Sequence, residues 1–308
     1  MKLESFKKYL SNSFNKIQSF WGLVFVSPWV IGFLAFGLYP IIMSLYYSLC
    51  QYDVLRVPHF IGLDNYEVLL FEDNYFWTSI WNTLFYTVIR VPLVIFGSLL
   101  LAVLVSKSLR GIKFFRTIYF IPSIITGVIL SVLWMWLLNP QYGIINSFLA
   151  FFGFQGPLWL QDPNWSKPSL ILMSIWSLGG GRMLVFLAAL QNIPKQLYEV
   201  VEIDGGGWWK KFVHVSLPLI SPVLFLWSIL EVIFSLQVFI EAYVMTKGGP
   251  LNSTLFYNLY LYNKAFDDFN MGYASAMAWI LLLITLLITY LQFKIGKKWV
   301  YYSGGTGK

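Results

Sequence analysis

The chain contains apolar runs that recur along its whole length, each long enough to cross a membrane as a helix. Crossing about 30 Å of hydrocarbon takes roughly 20 residues at about 1.5 Å per residue. The runs predict six membrane-spanning helices, at about 20–49, 77–106, 113–138, 169–190, 220–246 and 272–296. No sequence stretch between them is long enough to form a soluble core of its own. We therefore expect one all-α integral membrane domain that covers residues 1–308.

Composition excludes several other classes of protein. Only 11% of the residues are charged, whereas soluble domains carry roughly a quarter. The single cysteine, Cys50, excludes an internal disulfide, and two histidines are too few for a clustered transition-metal site. We expect Cys50 to be an apolar or interfacial residue. The net charge of +7 would favour a nucleic-acid partner only if the basic residues formed one face. They follow membrane topology instead, so no nucleic-acid partner is expected.

Lysine and arginine are concentrated in alternate connections, which orients the helices. Fifteen lie before the first span, between the second and third, between the fourth and fifth, or after the sixth, and only four lie in the other connections. The positive-inside rule therefore places both termini in the cytoplasm. The remaining two, Arg90 and Arg182, fall inside predicted spans. The opposite connections are acidic, with Asp53, Asp64, Glu67, Glu72, Asp73, Asp162, Asp267 and Asp268.

Two apolar segments differ from the other predicted spans in position or length. The first run continues through Pro28 and Pro40, and its length favours a retained helix over a cleaved signal peptide. The segment 143–154 is apolar but too short to span a membrane. It predicts an interfacial or external helix.

The connection between the fourth and fifth spans, residues 191–219, predicts two short helices joined by a tight turn. Pro194 suits a first helical turn, and three glycines after Asp204 allow the backbone geometry that stops a helix. The second helix is amphipathic and is expected to end at Leu217-Pro218. From physical chemistry alone, it could rest in the headgroups, with Lys210 and Lys211 meeting anionic lipid.

The same connection resembles the cytoplasmic EAA loop of binding-protein-dependent ABC importer permeases. The matching residues are Glu199, Asp204, Gly205, Phe212, Leu217 and Pro218. Val200 and Val201 replace two alanines of that pattern, and Gly206 stands where alanine is usual.

A second resemblance, to the sugar-importing branch of this family, lies beyond the fifth predicted span. It is carried by the string Thr246-Lys-Gly-Gly-Pro-Leu-Asn-Ser-Thr and by the later Met271-Gly-Tyr-Ala-Ser-Ala. With Tyr119-Phe-Ile-Pro122, the likeness extends from Trp21 to Lys298. Within the family, the chain is similar to the larger-type permease of maltose and oligosaccharide importers, which pairs with a second, non-identical permease.

The resemblance implies a type I importer architecture and a non-catalytic subunit in a bacterial or archaeal cytoplasmic (inner) membrane. The implied partners are a homologous permease in a heterodimer, two ATP-binding cassette subunits, an extracytoplasmic solute-binding protein, membrane lipid and a sugar cargo. The helix 194–204 would dock into the ATPase, with Glu199 as its anchor. The residues expected to couple the chain to the ATPase are Glu199, Glu202, Asp204, Gly205, Phe212, Leu217 and Pro218. The sequence has no P-loop string, so ATP and Mg²⁺ are expected in the partner ATPase, with no cofactor or metal in this chain.

Polar residues inside spans are costly in hydrocarbon and usually face a cavity or a neighbouring helix. Glu231 and Ser235, at i and i+4, share one helix face. Arg182 could pair with Glu231 inside the bundle or extend toward the cytoplasm, and we favour the internal pair. Arg90 has no obvious partner in the sequence, so a structural role is expected.

The family's sugar-contacting positions, carried across by motif register, fall on Ser123, Gly127, Ser174, Ser177, Glu231 and Ser235. Trp134 and Trp176 are candidate surfaces on which a sugar ring could stack. The complete predicted pathway is Ser123, Gly127, Trp134, Ser174, Trp176, Ser177, Arg182, Glu231, Ser235 and Gln237. Small serines and aromatic residues at helical spacing also serve simple helix packing.

Two other functions stay open at this point. An ion-coupled secondary transporter would use Glu231 and Arg182 as a relay through broken helices. A membrane glycosyltransferase would use Asp267-Asp268 with a metal, although adjacent acids without a nearby histidine or nucleophile are usually a solvated loop face.

Overall fold

The computed structural model describes residues 20–106 and 111–301, and these residues are mostly helical. Part of the basic set that predicts the orientation lies outside the described residues: Lys2, Lys7, Lys8, Lys16, Lys107, Arg110 and Lys308. Four described helices are long and apolar enough to cross a membrane, and two bent helix pairs bring the number of candidate spans to as many as six.

The helices are numbered in chain order. They are α1 (Phe20–Ser48), α2 (Asp64–Glu67), α3 (Asn74–Ser106), α4 (Ile112–Phe120), α5 (Gly127–Leu137), α6 (Ile144–Phe151), α7 (Pro163–Trp176), α8 (Gly181–Gln191), α9 (Lys195–Ile203), α10 (Trp208–Lys211), α11 (Leu217–Leu236), α12 (Ile240–Met245), α13 (Tyr257–Tyr262) and α14 (Met271–Gly296). Two short antiparallel strands, β1 (Cys50–Gln51) and β2 (His59–Phe60), follow α1. Helix α6 is the short helix predicted within 143–154.

Helix α3 is the centre of the bundle and packs against α7, α8, α11 and α13. Its first turn lies at the end of the molecule that holds the strands, and its last turn lies near α9. We call these the strand end and the α9 end. One apolar cluster fills the strand end around Phe76, Leu170 and Tyr257. A second fills the α9 end around Met183 and Phe186.

Two predicted spans are broken helices, which corrects the prediction of continuous runs at 113–138 and 169–190. The first bends by 100° between Ile124 and Gly127, because Ile125 and Thr126 are extended. The second starts earlier, at Pro163, and bends by 49° between Trp176 and Gly181. Extended backbone at membrane depth is tolerated where it is buried in protein or lines a cavity.

The two breaks meet each other. A Cβ on Gly179 would lie 2.1 Å from the carbonyl oxygen of Tyr119, and one on Gly180 would lie 2.9 Å from Cβ of Ser123. Only glycine allows the chains to approach so closely at residue 179. The glycine run therefore holds the start of α8 against the break between α4 and α5.

The predicted end of the second loop helix at Leu217-Pro218 is wrong. Helix α10 continues through a π-helical turn, Phe212–Ser216, directly into α11. Pro218 lacks the N–H that a regular helix would use there, and a wider turn before it accommodates this loss. Within the predicted connection 191–219, residues 208–219 are therefore part of the continuous helical segment Trp208–Met245, a candidate span.

The remaining helices close the strand end. The string 246–254 forms a turn in which Thr254 Oγ1 donates to the Gly249 carbonyl at 2.7 Å. Asn82 Nδ2 of α3 donates to the Asn252 carbonyl at 2.8 Å, which ties this turn to α3. Helix α14 packs against α1, and a Cβ on Gly272 would lie 2.0 Å from the carbonyl oxygen of Cys50, which is buried.

Candidate functional site

Three helices bring charged side chains together halfway along the bundle. Arg90 of α3 donates from Nη1 to Glu231 Oε2 of α11 at 3.0 Å, and Arg182 of α8 donates to Glu231 Oε1. The Glu231 side chain is fully buried, and each arginine side chain is 14% exposed. The predicted internal pair of Arg182 and Glu231 is present. We call Arg90, Arg182 and Glu231 the central ion cluster.

Two serines complete this cluster. Arg90 Nη1 also donates to Ser235 Oγ at 2.6 Å. Arg182 Nη2 donates to the carbonyl of Ser177 at 3.1 Å and lies 3.3 Å from its Oγ. Burial of a charge is tolerated when it is paired and hydrogen-bonded. These contacts fix both guanidinium groups in place.

Arg90 is the functional-site residue that sequence reasoning missed. The signal was present in the charge inventory of the predicted spans. Ionisable residues inside a membrane pair with one another, and the predicted spans contain two carboxylates, Glu231 and Glu241. What the sequence does not contain is the helix packing that selects Glu231 as the shared partner.

The predicted pathway residues separate into open and buried groups. Ser123 is exposed at the break between α4 and α5, and Trp176 is 52% exposed at the end of α7. Ser177 is half-buried beside Arg182. Ser123 lies against Gly180, two residues before Arg182. This open group therefore forms a polar and aromatic surface at the two helix breaks, next to the central ion cluster.

The other pathway residues lie deeper or farther away. Trp134 is buried and contacts Trp176 edge-to-face at 6.0 Å. Ser174 is buried, and its hydroxyl donates to the Ile171 carbonyl of its own helix. A Cβ on Gly127 would lie 3.5 Å from Ile240 Cγ2, an ordinary contact distance, and Gln237 is exposed at the end of α11. The structure thus brings Glu231, Ser235, Ser177 and Arg182 into one cluster and leaves Gln237 outside it.

At the α9 end, helix α9 forms a projecting helix that stops at the predicted glycines. Gly205 has a left-handed φ of +71°, and the Gly206 N–H donates to the Val201 carbonyl at 2.7 Å, which closes the helix end. A Cβ on Gly206 would lie 2.4 Å from Val201 Cγ1. The larger side chain at 201 thus faces the smaller residue at 206.

Contacts on both sides of the turn fasten α9 to the fifth span. Tyr198 Oη and Ser216 Oγ are 2.9 Å apart, and Lys211 Nζ donates to Glu202 Oε2 at 2.7 Å. The hydrogen bond and the positive charge of Lys211 hold the pKa of Glu202 below its ordinary value. Within the described part of the chain, Glu199 is exposed and forms no ion pair. Ile203, 85% exposed, adds an apolar side chain to α9.

The other predicted coupling residues belong to the frame around α9. Asp204 caps the C-terminus of α9, ahead of Gly205. Phe212 and Leu217 are half-buried against the apolar cluster of the α9 end. Pro218 lies in the first turn of α11. These residues position the projecting helix, whereas Glu199 lies on its surface.

The strand end carries a second polar region, around a cavity of about 650 Å³. Asp73 caps α3 and accepts hydrogen bonds from Tyr260 at 2.5 Å and from Tyr273. Burial opposes ionisation of Asp73, but the two hydroxyl groups and the backbone N–H donors hold its pKa below the ordinary value. Asp268, proposed above as a metal ligand, instead pairs with Lys264 at 2.8 Å. Within residues 20–106 and 111–301, no group of three or more His, Cys, Asp or Glu side chains could hold a metal ion.

Comparison with known proteins matches the chain over nearly its whole length. Residues 73–300 match the family described as binding-protein-dependent transport system inner membrane component. The chain is 40% identical over 286 residues to the probable ABC transporter permease protein YesP of Bacillus subtilis, with 92% of each chain covered. It is 36% identical over 278 residues to the lactose transport system permease protein LacF of Rhizobium radiobacter, covering 88% of this chain and 92% of that protein.

The fold is similar to that of a solved transporter chain. A bacterial ABC transporter involved in the import of the acidic polysaccharide alginate matches with a TM-score of 0.81 at 24% identity. The match covers 93% of this chain and 99% of that chain. This chain therefore shares its overall fold with that transporter chain.

Proposed function

The chain belongs to the family of binding-protein-dependent transport system inner membrane components, and we propose that it is the permease subunit through which an ATP-driven importer moves a sugar or oligosaccharide. Family membership makes it a multi-pass transport permease. It also supports the ATP-driven importer over the ion-coupled secondary transporter, because the matched family is one of binding-protein-dependent systems. The proposed cargo class rests on the sugar-branch residues at 246–254 and on the relative named for lactose transport.

The proposed arrangement has six spans and both termini in the cytoplasm of a bacterial or archaeal cell, with the chain in the cytoplasmic membrane. It is supported by as many as six candidate spans and by the distribution of lysine and arginine in the sequence. The strand end would then face outward, where its acidic and aromatic cavity is available to a solute-binding protein. The α9 end would face the cytoplasm.

The proposed energy source is a pair of ATP-binding cassette subunits that hold ATP and Mg²⁺, with this chain as the non-catalytic half of a permease heterodimer. Helix α9 would insert into an ATPase cleft through Glu199 and the exposed Ile203. Because Tyr198–Ser216 and Glu202–Lys211 join α9 to the fifth span, a displacement of α9 would move α11, which carries Glu231. Rigid-body movement of such elements is a common way to switch access.

The observation that carries this proposal is the exposed Glu199, which forms no ion pair with any described residue and lies on a helix fastened to a span. Affinity purification of the tagged chain from cells that express its partners tests it. The wild-type chain is expected to recover an ATPase and a second permease. Glu199→Lys is expected to lose the ATPase and keep the second permease, because the reversed charge lies only on the docking helix.

The matched control is Glu67→Lys, which reverses an exposed charge at the strand end. It should recover both partners. If the wild-type chain recovers no ATPase, the ATP-driven proposal is wrong. If Glu199→Lys recovers as much ATPase as Glu67→Lys, then α9 is not the docking helix.

A further inference from the structure

We infer that the central ion cluster is an anion-binding site in the pathway and that the cargo is an acidic sugar bearing a carboxylate group. The inference rests on the proposed transport function and narrows its cargo. Two guanidinium groups, which stay protonated, share one carboxylate, so the cluster has a formal charge of +1.

Within the described residues, no carboxylate other than Glu231 forms an ion pair with either arginine, and the Arg90 guanidinium also lies over the Tyr86 ring, 5.8 Å from its centroid. Glu241, the other carboxylate of the predicted spans, forms no ion pair with either arginine in this part of the chain. The cluster lies between the two apolar clusters, with Tyr86 of the first one turn before Arg90 and Met183 of the second directly after Arg182. In such a low-dielectric position an unpaired charge is costly, and an added anion is strongly favoured.

Unused hydrogen-bond donors show where the anion would bind. Arg90 directs Nη1 to Glu231 and to Ser235, while its Nε is buried and has no hydrogen-bond partner among the described residues. Its Nη2 makes no hydrogen bond to any described residue. Nε and Nη2 together form one edge of the guanidinium group, and two parallel N–H donors on such an edge match the two oxygens of a carboxylate. Nε of Arg182 likewise has no hydrogen-bond partner in the part of the chain that the structure describes.

The surface at the two helix breaks, beside Arg182 of the same cluster, suits a sugar that carries the carboxylate. Ser177 and Ser123 supply hydroxyl groups at the helix breaks, and Trp176 offers a half-exposed ring face nearby. Glu231 itself is fully buried and bonded to both arginines, so it positions them and is not available to the sugar. A neutral sugar could bind to the serine hydroxyl groups and to the Trp176 ring. It would not compensate the positive charge of the central ion cluster.

A thermal-unfolding experiment on the complete transporter tests this inference. The transporter is purified with its ATPase and placed in nanodiscs, and its unfolding midpoint is titrated with sodium glucuronate, sodium galacturonate, glucose and galactose at equal ionic strength. These pairs differ only by a carboxylate in place of a hydroxymethyl group. Both uronates are expected to raise the midpoint saturably, and neither neutral sugar should match them. Recovery of the ATPase in the same preparation reports separately on the proposed function.

Two variants locate the effect. Arg90→Gln removes the free donor edge and one positive charge, so the apparent affinity for uronate should fall at least about tenfold. Arg90→Lys keeps the charge but not the paired donors and should give an intermediate loss. Arg56→Gln, at the exposed strand end, should bind as the wild type does.

The inference is overturned if uronates raise the wild-type midpoint no more than neutral sugars do. In that case the second permease or the packing alone compensates the cluster. It is also overturned if Arg90→Gln folds and still prefers uronates as the wild type does. The comparison of uronates with neutral sugars uses only the wild-type transporter. The inference can therefore be overturned even if Arg90→Gln misfolds.

Discussion

Two ion pairs of similar length differ in how far they are exposed to solvent. In the central ion cluster Glu231 is fully buried among three helices, whereas at the α9 end Glu202 meets Lys211 in solvent. The nitrogen–oxygen distances are 3.0 Å for Arg90–Glu231 and 2.7 Å for Lys211–Glu202. The nitrogen–oxygen distance therefore does not determine how much each pair contributes to stability. Burial makes the loss of one partner expensive in the first case, and solvent screening makes it cheap in the second.

The difference also separates two tasks. The central ion cluster has a fixed geometry, a surplus charge and unused donors, which suits recognition of a cargo group. The contacts of α9 hold a projecting helix against the fifth span, which suits transmission of movement.

The largest effect is expected for Glu231→Gln. This change leaves two buried guanidinium groups without their shared carboxylate, and breaking a buried ion pair in this way costs about 3–5 kcal/mol. Thermal or denaturant unfolding of the transporter in nanodiscs measures the loss. The control is Glu241→Gln, which removes a half-buried carboxylate with no ion pair in the described residues. Equal small shifts for both variants would show that the buried cluster is no more important to stability than a single carboxylate.

A smaller loss is expected for Gly179→Ala. The added Cβ would meet the Tyr119 carbonyl at 2.1 Å, and overpacking of this kind typically costs about 1–3 kcal/mol. The displaced α8 would also move Arg182 away from Glu231. Gly181→Ala is a close control, because a Cβ there meets no atom of the described residues within 4 Å. The same unfolding assay compares them, and an equal tolerance of both alanines would contradict the close approach of the two helix breaks.

The two regions also differ in how far the sequence predicts them. The EAA-like string located α9 and its glycine stop correctly, because local turn chemistry fixes both Gly205 and the helix end. The ion pair of Arg182 and Glu231 was predictable because charges within spans need partners. The role of Arg90 and the 100° bend after Ile124 depend on which helices pack together. Pro218 misled the prediction, since proline stops a helix in isolation but here follows a π-helical turn.

Tyr198→Phe tests the link between α9 and the fifth span. It removes the hydroxyl group that lies 2.9 Å from Ser216 Oγ, and the loss of one such hydrogen bond costs about 1 kcal/mol. The expected functional result is less transport for each ATP hydrolysed, with the ATPase still bound. Uptake and hydrolysis are measured together in proteoliposomes. Tyr290→Phe, which alters an exposed tyrosine of α14, should leave the ratio unchanged, and an unchanged ratio in Tyr198→Phe would exclude this link.

The smallest effect is expected for Glu202→Gln, and its sign follows from the lowered pKa of Glu202. A depressed pKa in the folded state means that the pair stabilises the protein above the ordinary glutamate range. That contribution is lost as the pH falls through the lowered pKa. The wild type should therefore unfold at a slightly higher temperature than Glu202→Gln at neutral pH, and the gap should close on acidification.

Salt distinguishes this pair from the central ion cluster. An exposed pair is screened by ions, so the small gap at neutral pH should shrink as the salt concentration rises. The much larger gap caused by Glu231→Gln should persist, because salt does not reach a fully buried carboxylate. A Glu202→Gln gap that resists salt would mean that Lys211 and Glu202 are covered in the assembled transporter. The contrast between the two regions would then belong to the isolated chain and not to the working complex.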